Sequence, residues 1–198
     1  MFGHEGALLM GKNLSDMTNE ELWQLFPIEL CAHRENWADQ YAREEARLLP
    51  VLSPLHLVRI SHVGSTAVDG ICAKPIVDIL VELEKQGDMA AVESALIRAG
   101  YRVMSREPGR ISFNRGYTEE GFTDEVFHLH LRFCGDNDEL CFRDLLRDRP
   151  DVAHQYGKLK KSLKNKHTYN RDAYTDGKTE FIRRYTDEAK EMYRGRYD

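Results

Sequence analysis

The run Ile76–Leu83, IVDILVEL, constrains the fold more than any other part of the chain. Its length and its β-branched, apolar character make it an interior strand, yet it carries Asp78. Alternation along a strand places Asp78, Leu80 and Glu82 on one face and Ile79, Val81 and Leu83 on the other. A carboxylate in such a run is costly without a cation or several donors. Its partner is either a metal shared with substrate phosphates or an arginine or lysine from elsewhere. Glu82 cannot grip the same ion, because four residues of strand span roughly 13 Å. The suitable place, two residues along, holds Leu80.

Two neighbouring stretches suit such an ion or its ligand. Gly64-Ser65-Thr66 directly follows the strand candidate Leu55–Val63. A glycine there allows a sharp bend and close approach to a ligand, while successive N–H groups form a concavity for anions. The Ser65 and Thr66 hydroxyls add donors; an ordinary turn is the plainer reading. Further on, Phe127-His128-Leu129-His130-Leu131 sets His128 and His130 on one face of a strand, where both rings can converge on one ion or serve structural hydrogen bonds. An Asp/His/His set favours Mn²⁺, Zn²⁺ or Fe²⁺ over the all-oxygen sites that suit Mg²⁺.

The 198 residues suggest a single domain. We divide the chain into an N-terminal extension, residues 1–19, and one domain, residues 20–198. Ser15 to Leu22 suggests a capped helical turn, and Pro27–Leu49 reads as an amphipathic helix. After the Ile76–Leu83 strand, Asp88–Ala99 is a helix stopped at Gly100. Tyr101–Met104, Ile111–Asn114 and Glu125–Phe133 are strands. Asp138–Arg147, Asp151–Lys166 and Ala173–Tyr193 are helices. The expected fold class is α/β (α+β), a mixed sheet covered by helices, with an N-terminal helix and a helical C-terminal part.

The net charge of −5 argues against nucleic acid as the main partner. No apolar run approaches the ~18–20 residues that cross a bilayer. Cys31, Cys72, Cys134 and Cys141 are scattered without a CxxC pair, as reduced thiols of a cytoplasmic protein would be.

Several basic residues are placed to meet phosphate. Lys74 precedes Pro75 and is held extended between the turn and the strand; it reaches phosphate, pairs with Asp78, or is solvated. Arg110, Asn114 and Arg115 lie on one strand candidate, facing the same cleft or the surface. Lys158, Lys160, Lys161, Lys164 and Lys166 make a positive run on a helix, either a solvated face or a field that steers a nucleotide. Tyr174, Lys178 and Phe181 form an i, i+4, i+7 row for core packing or for stacking a base. His62 bonds locally or takes part in catalysis.

The runs RISHVGSTAVDGICAKPIVDILVELE, ELWQLFPIEL and FHLHLR, followed by FRDLLRDRP, YGKLKKSL and YTDGKTEFI, together resemble the GrpB-like family over about residues 20–185. That family belongs to the nucleotidyltransferase-fold superfamily. The resemblance implies that Gly64 and Ser65 form a phosphate-binding turn and that Asp78 is the first metal acid. It also implies that the histidine pair stands where a later-strand ligand is found. Leu80 occupies the second acid's place, and Asp69 stands where the family usually has proline. The expected function is metal-dependent nucleotidyl or phosphoryl transfer. Asp78, His128 and His130 would be catalytic and hold a divalent ion (Mg, Mn or Zn). Gly64, Ser65, Thr66, Lys74, Lys158 and Lys178 would bind a nucleoside triphosphate or a phosphorylated metabolite. Two alternatives stay open: a non-catalytic nucleotide- or metabolite-binding module, and a metal-dependent phosphoesterase.

Overall fold

In a computed structural model, residues 13–197 are described. The first twelve residues of the expected extension therefore lie outside the described residues. Thr18 caps the first α-helix: its side chain accepts from the Glu21 N–H while Glu21 reaches back to the Thr18 N–H, and this capping box opens α1 (Asn19–Leu25).

The helix expected over Pro27–Leu49 begins later, as α2 (Asn36–Leu52). Residues 27–35 instead spend their backbone groups on distant partners. The Ile28 N–H donates to the Thr168 carbonyl, and Cys31 forms an antiparallel bridge with Ala73. At its other end α2 runs past Pro50, with Leu48 and Leu52 fully buried one turn apart. The lost proline N–H removes one helical bond, which that packing offsets.

Five strands follow the expected order, the first two slightly shorter and the last three longer than expected: β1 (Leu57–Val63), β2 (Val77–Leu83), β3 (Arg102–Glu107), β4 (Arg110–Thr118) and β5 (Gly121–Phe133). Between β2 and β3 lies α3 (Met89–Arg98), capped by the Asp88 carboxylate accepting from the Ala90 and Ala91 N–H groups and closed at Gly100, where φ is +87°. The C-terminal helices are α4 (Asp138–Asp148), α5 (Pro150–Lys166) and α6 (Arg171–Met192).

The sheet order is β1-β2-β5-β4-β3. β2 runs parallel to β5, whereas β1–β2, β5–β4 and β4–β3 are antiparallel, so the sheet is mixed as expected. One face is apolar: Ile79, Val81 and Leu83 of β2 join Leu129 and Leu131 of β5 against Leu48, Leu52, Val92 and Leu96 of α2 and α3. The other face carries the polar alternates. There α4, α5 and α6 build their own core around Leu145, Val152, Tyr156 and Tyr185. All four cysteines are free. Among the described residues no helix is long and apolar enough to cross a membrane.

Candidate functional site

The polar face of β2 meets the end of β1. Because Val63 pairs with Asp78 in the β1–β2 register, the residues after Val63 turn directly over the Asp78 carboxylate. Gly64 makes that turn with φ +70°, and Ser65–Ala67 continue as one 3-10 turn. A side chain at position 64 would collide with Asp78: an added Cβ would stand 3.0 Å from its Cβ and Cγ and overlap Oδ2. Glycine is thus required both by backbone conformation and by space.

The parallel register brings Asp78 beside His128 and Leu80 beside His130. His128 Nδ1 lies 3.5 Å and His130 Nε2 3.7 Å from the same oxygen, Asp78 Oδ1. The three expected groups therefore gather at one point. Burial pushes the Asp78 carboxyl up, but His128 and His130 outweigh it and hold the group well below the usual carboxylate range. Burial lowers His128, with Asp78 opposing that shift.

His128 is positioned from behind. Its Nε2 lies 2.8 Å from the Tyr117 hydroxyl, whose oxygen accepts from Arg171 Nη1 at 3.2 Å. Arg171 is anchored in turn by donating to the Phe26 carbonyl. His130 Nδ1 is buried without a hydrogen-bond partner among the described residues.

Lysines surround this point. Lys160 Nζ donates to Ser65 Oγ at 2.8 Å and to the Cys72 carbonyl, crossing from α5 to the turn. Lys178 Nζ and Lys74 Nζ both lie over the Tyr174 ring, 4.5 and 5.9 Å from its centre. Burial lowers Lys74 to about 7, reinforced by Arg171 and Lys178, and lowers Lys160 to about 8. Lys178 is lowered by burial as well, with Asp78 pulling the other way. These ammonium groups are held where a further negative charge would stabilise them.

Two cavities open here. One, of about 570 Å³, is lined by Gly64, Ser65, Asp78, His130 and Lys178. The other, of about 920 Å³, is lined by Lys74, His128, Tyr117 and Arg171. Other expected residues go elsewhere. Lys158 is exposed on α5, and the lysine of that helix at the turn is Lys160. Thr66 is buried with its Oγ1 3.0 Å from His62 Nε2. Glu82, excluded as a ligand by its spacing, is fully buried beside Arg59 Nε at 2.6 Å, whereas Arg110 does line the smaller cavity while gripping Asp136 with two bonds. Arg115 reaches across to Glu44 at 2.7 Å.

Among the described residues no group of three or more His, Cys, Asp or Glu side chains is arranged to hold a metal ion. One carboxylate and two imidazoles can supply part of a shell, and an ion there would need ligand oxygens to complete it.

The sequence reading gives Tyr117 and Arg171 no role and counts Lys160 only as part of the positive run of its helix. For Lys160 a signal existed: it follows Tyr156 by four residues and Ala153 by seven, the phase of the buried stripe of α5.

Fold and site together define an α/β protein with a cation-lined cleft on the polar face of a mixed sheet. The chain belongs to the GrpB family: the family model described as GrpB protein matches residues 27–188. It is 31% identical over 181 residues to the UPF0157 protein YqkA of Bacillus subtilis, covering 88% of this chain and 52% of that one. It is 33% identical over 159 residues to the glutamate-rich protein GrpB of Alkalihalophilus pseudofirmus, covering 77% and 90%. The chain thus spans about half of YqkA but most of the second relative. Among solved structures, that of the conserved protein GrpB from Enterococcus faecalis superposes with a TM-score of 0.72 at 29% identity, over 83% of this chain and 99% of that one. A likeness to the Cid1 poly(U) polymerase, with a TM-score of 0.47 and 14% identity, is too slight to carry weight.

Proposed function

We propose that the cleft binds a nucleotide or phosphorylated metabolite through its phosphates and serves nucleotidyl or phosphoryl transfer. The observation that carries this reading is the Gly64-Ser65 turn, pressed against Asp78 and contacted by a buried lysine, Lys160, with Lys74 and Lys178 nearby. Buried ammonium groups beside a glycine turn are costly alone and favourable once an oxyanion neutralises them. Asp78, His128 and His130 would hold a divalent ion jointly with the ligand's phosphates, and the nitrogen donors favour Mn²⁺ or Zn²⁺ over Mg²⁺. Such an ion supplies charge neutralisation; the lysines orient the phosphates and stabilise charge as it develops. The four free thiols fit the cytoplasmic location expected from the sequence.

A second reading, a binding module without catalysis, is favoured by Leu80. It is fully buried at the place of the second acid, and two-ion transfer chemistry depends on close carboxylates.

Thermal-shift titration of the purified chain with Mn²⁺, Zn²⁺, Mg²⁺ and nucleoside triphosphates tests the binding. Mass action predicts a rise in Tm that grows with ligand concentration and is lost in Asp78→Ala. No shift with any anion or ion refutes the reading. Labelled nucleoside triphosphate then separates the two versions. Release of pyrophosphate or phosphate supports transfer, whereas binding without release establishes the module.

A further inference from the structure

The Asp78 cluster stands between two chemically different cavities. His128 lines the larger and His130 the smaller, and both rings approach Asp78 Oδ1, at 3.5 and 3.7 Å. The cavities therefore adjoin at that carboxylate. The smaller is the end with the Gly64-Ser65 turn and Lys178. The larger has a partly aromatic wall that includes Trp23 and Phe26, with Tyr117, Asn114 and Arg171 from the sheet and α6.

Trp23 is the distinctive element. It is only half-buried on α1, and among the described residues no other ring packs against it. α1 ends before residue 27, where the family match begins, so this wall comes from outside the matched region. Two polar atoms of the same cavity's residues, Asn114 Oδ1 and Arg171 Nη2, are buried without hydrogen-bond partners among the described residues. Such groups carry a desolvation cost until a ligand supplies the missing partner. A half-exposed indole on the cavity wall, an unspent acceptor and an unspent donor complement a planar heterocycle with donors and acceptors on its edge.

We propose that the larger cavity is the base-binding subsite for a nucleotide whose phosphates occupy the smaller one. Trp23 stacks on the base, and Asn114 and Arg171 read its edge. This assignment rests on the phosphate reading above and adds the ligand class to it.

The test uses the whole chain, with calorimetric titration to read affinity in every variant and intrinsic fluorescence to read stacking in the wild type. Trp37 is 1% exposed in the core, so a ligand-dependent change reports Trp23. Four nucleoside triphosphates, inorganic tripolyphosphate and free adenosine are titrated into the wild type, Trp23→Ala and Trp23→Phe. Nucleoside triphosphates should quench Trp23 and bind more tightly than tripolyphosphate, which should bind without quenching. Trp23→Ala should weaken nucleotide binding about tenfold and leave tripolyphosphate binding unchanged, and Trp23→Phe should restore most of the loss. If Trp23→Ala binds both equally as well as the wild type does, the base subsite is wrong and the phosphate reading survives. Quenching by adenosine with no tripolyphosphate binding supports the subsite and refutes the phosphate reading. Binding of no probe refutes both.

Discussion

Gly64 lies against Asp78 with no room for a side chain between them: a Cβ on Gly64 would be 3.0 Å from the Asp78 Cγ. The contact sets the turn's backbone beside the only carboxylate on the start of β2, and the φ of +70° excludes most alternatives to glycine.

Gly64→Ala should therefore lower stability by about 1–3 kcal/mol through strain and overlap. It should also weaken tripolyphosphate binding by more than any surface substitution on β1. Urea denaturation and calorimetric titration measure the two effects. Wild-type values in both would show that the turn relaxes freely and has no role in the site.

Lys160 and Lys158 give a matched pair on one helix. Lys160 is 2% exposed and donates to Ser65, whereas Lys158 is exposed. Lys160→Met should abolish measurable tripolyphosphate binding, and Lys158→Met should change it less than twofold, as expected for a screened surface charge. Equal losses in the two would assign the attraction to the general field of α5.

The lowered lysines give a pH dependence whose sign can be worked out. Lys74 sits at about 7 and Lys160 at about 8, against 10.5 in the unfolded chain. Below pH 6 both are protonated in either state, and the native fold bears the full cost of burying them. As pH rises through 7 and 8 the native state sheds protons that the unfolded chain keeps, so ligand-free stability should climb. Oxyanion binding needs the charged ammonium groups and should weaken over the same window. Denaturation and titration from pH 6 to 9 would show opposite slopes. A Lys74→Met variant should flatten the lower part of each, and unchanged slopes would exclude Lys74 as the titrating group.

On the opposite face of the sheet, Glu44 is 3% exposed and bound by Arg47 at 2.5 Å, Tyr101 at 2.7 Å and Arg115 at 2.7 Å. Burial pushes its carboxyl up, but those partners outweigh it and hold the group below 4.5. Its contribution is complete above the unfolded value of about 4.5 and is lost as pH falls through the lower native one. Glu44→Ala should cost about 3–5 kcal/mol by leaving two guanidinium groups short of a partner. Glu44→Gln should reduce the loss of stability between pH 5 and 3. Acid unfolding curves of the three proteins check both.

Much of this was legible before the structure because strand alternation is a strict rule. Asp78, His128 and His130 were each placed on a polar face by period alone, and one parallel register then brought the faces together. What spacing could not give was partner choice across elements. Arg115 was a candidate for the cleft, yet it lies one residue from Asn114 and so points to the other face, where Glu44 waits. The sequence pattern starts this helix at Pro27 and not at Asn36 for a related reason: residues 27–35 have helical spacing but include backbone groups that pair with Thr168 and Ala73, which no local pattern reveals. Lys160 looked like part of a solvated run because its burial depends on α5 packing over the turn.

The parallel seam between β2 and β5 also has a kinetic meaning. Asp78 and His128 are fifty residues apart in the chain, whereas β3, β4 and β5 are joined by short hairpins that can close early. A nascent chain can thus zip its local meander while its lone acid is still far from either imidazole. Affinity for ligand requires that long-range closure, so a bound anion favours the completed fold over its partly zipped forms.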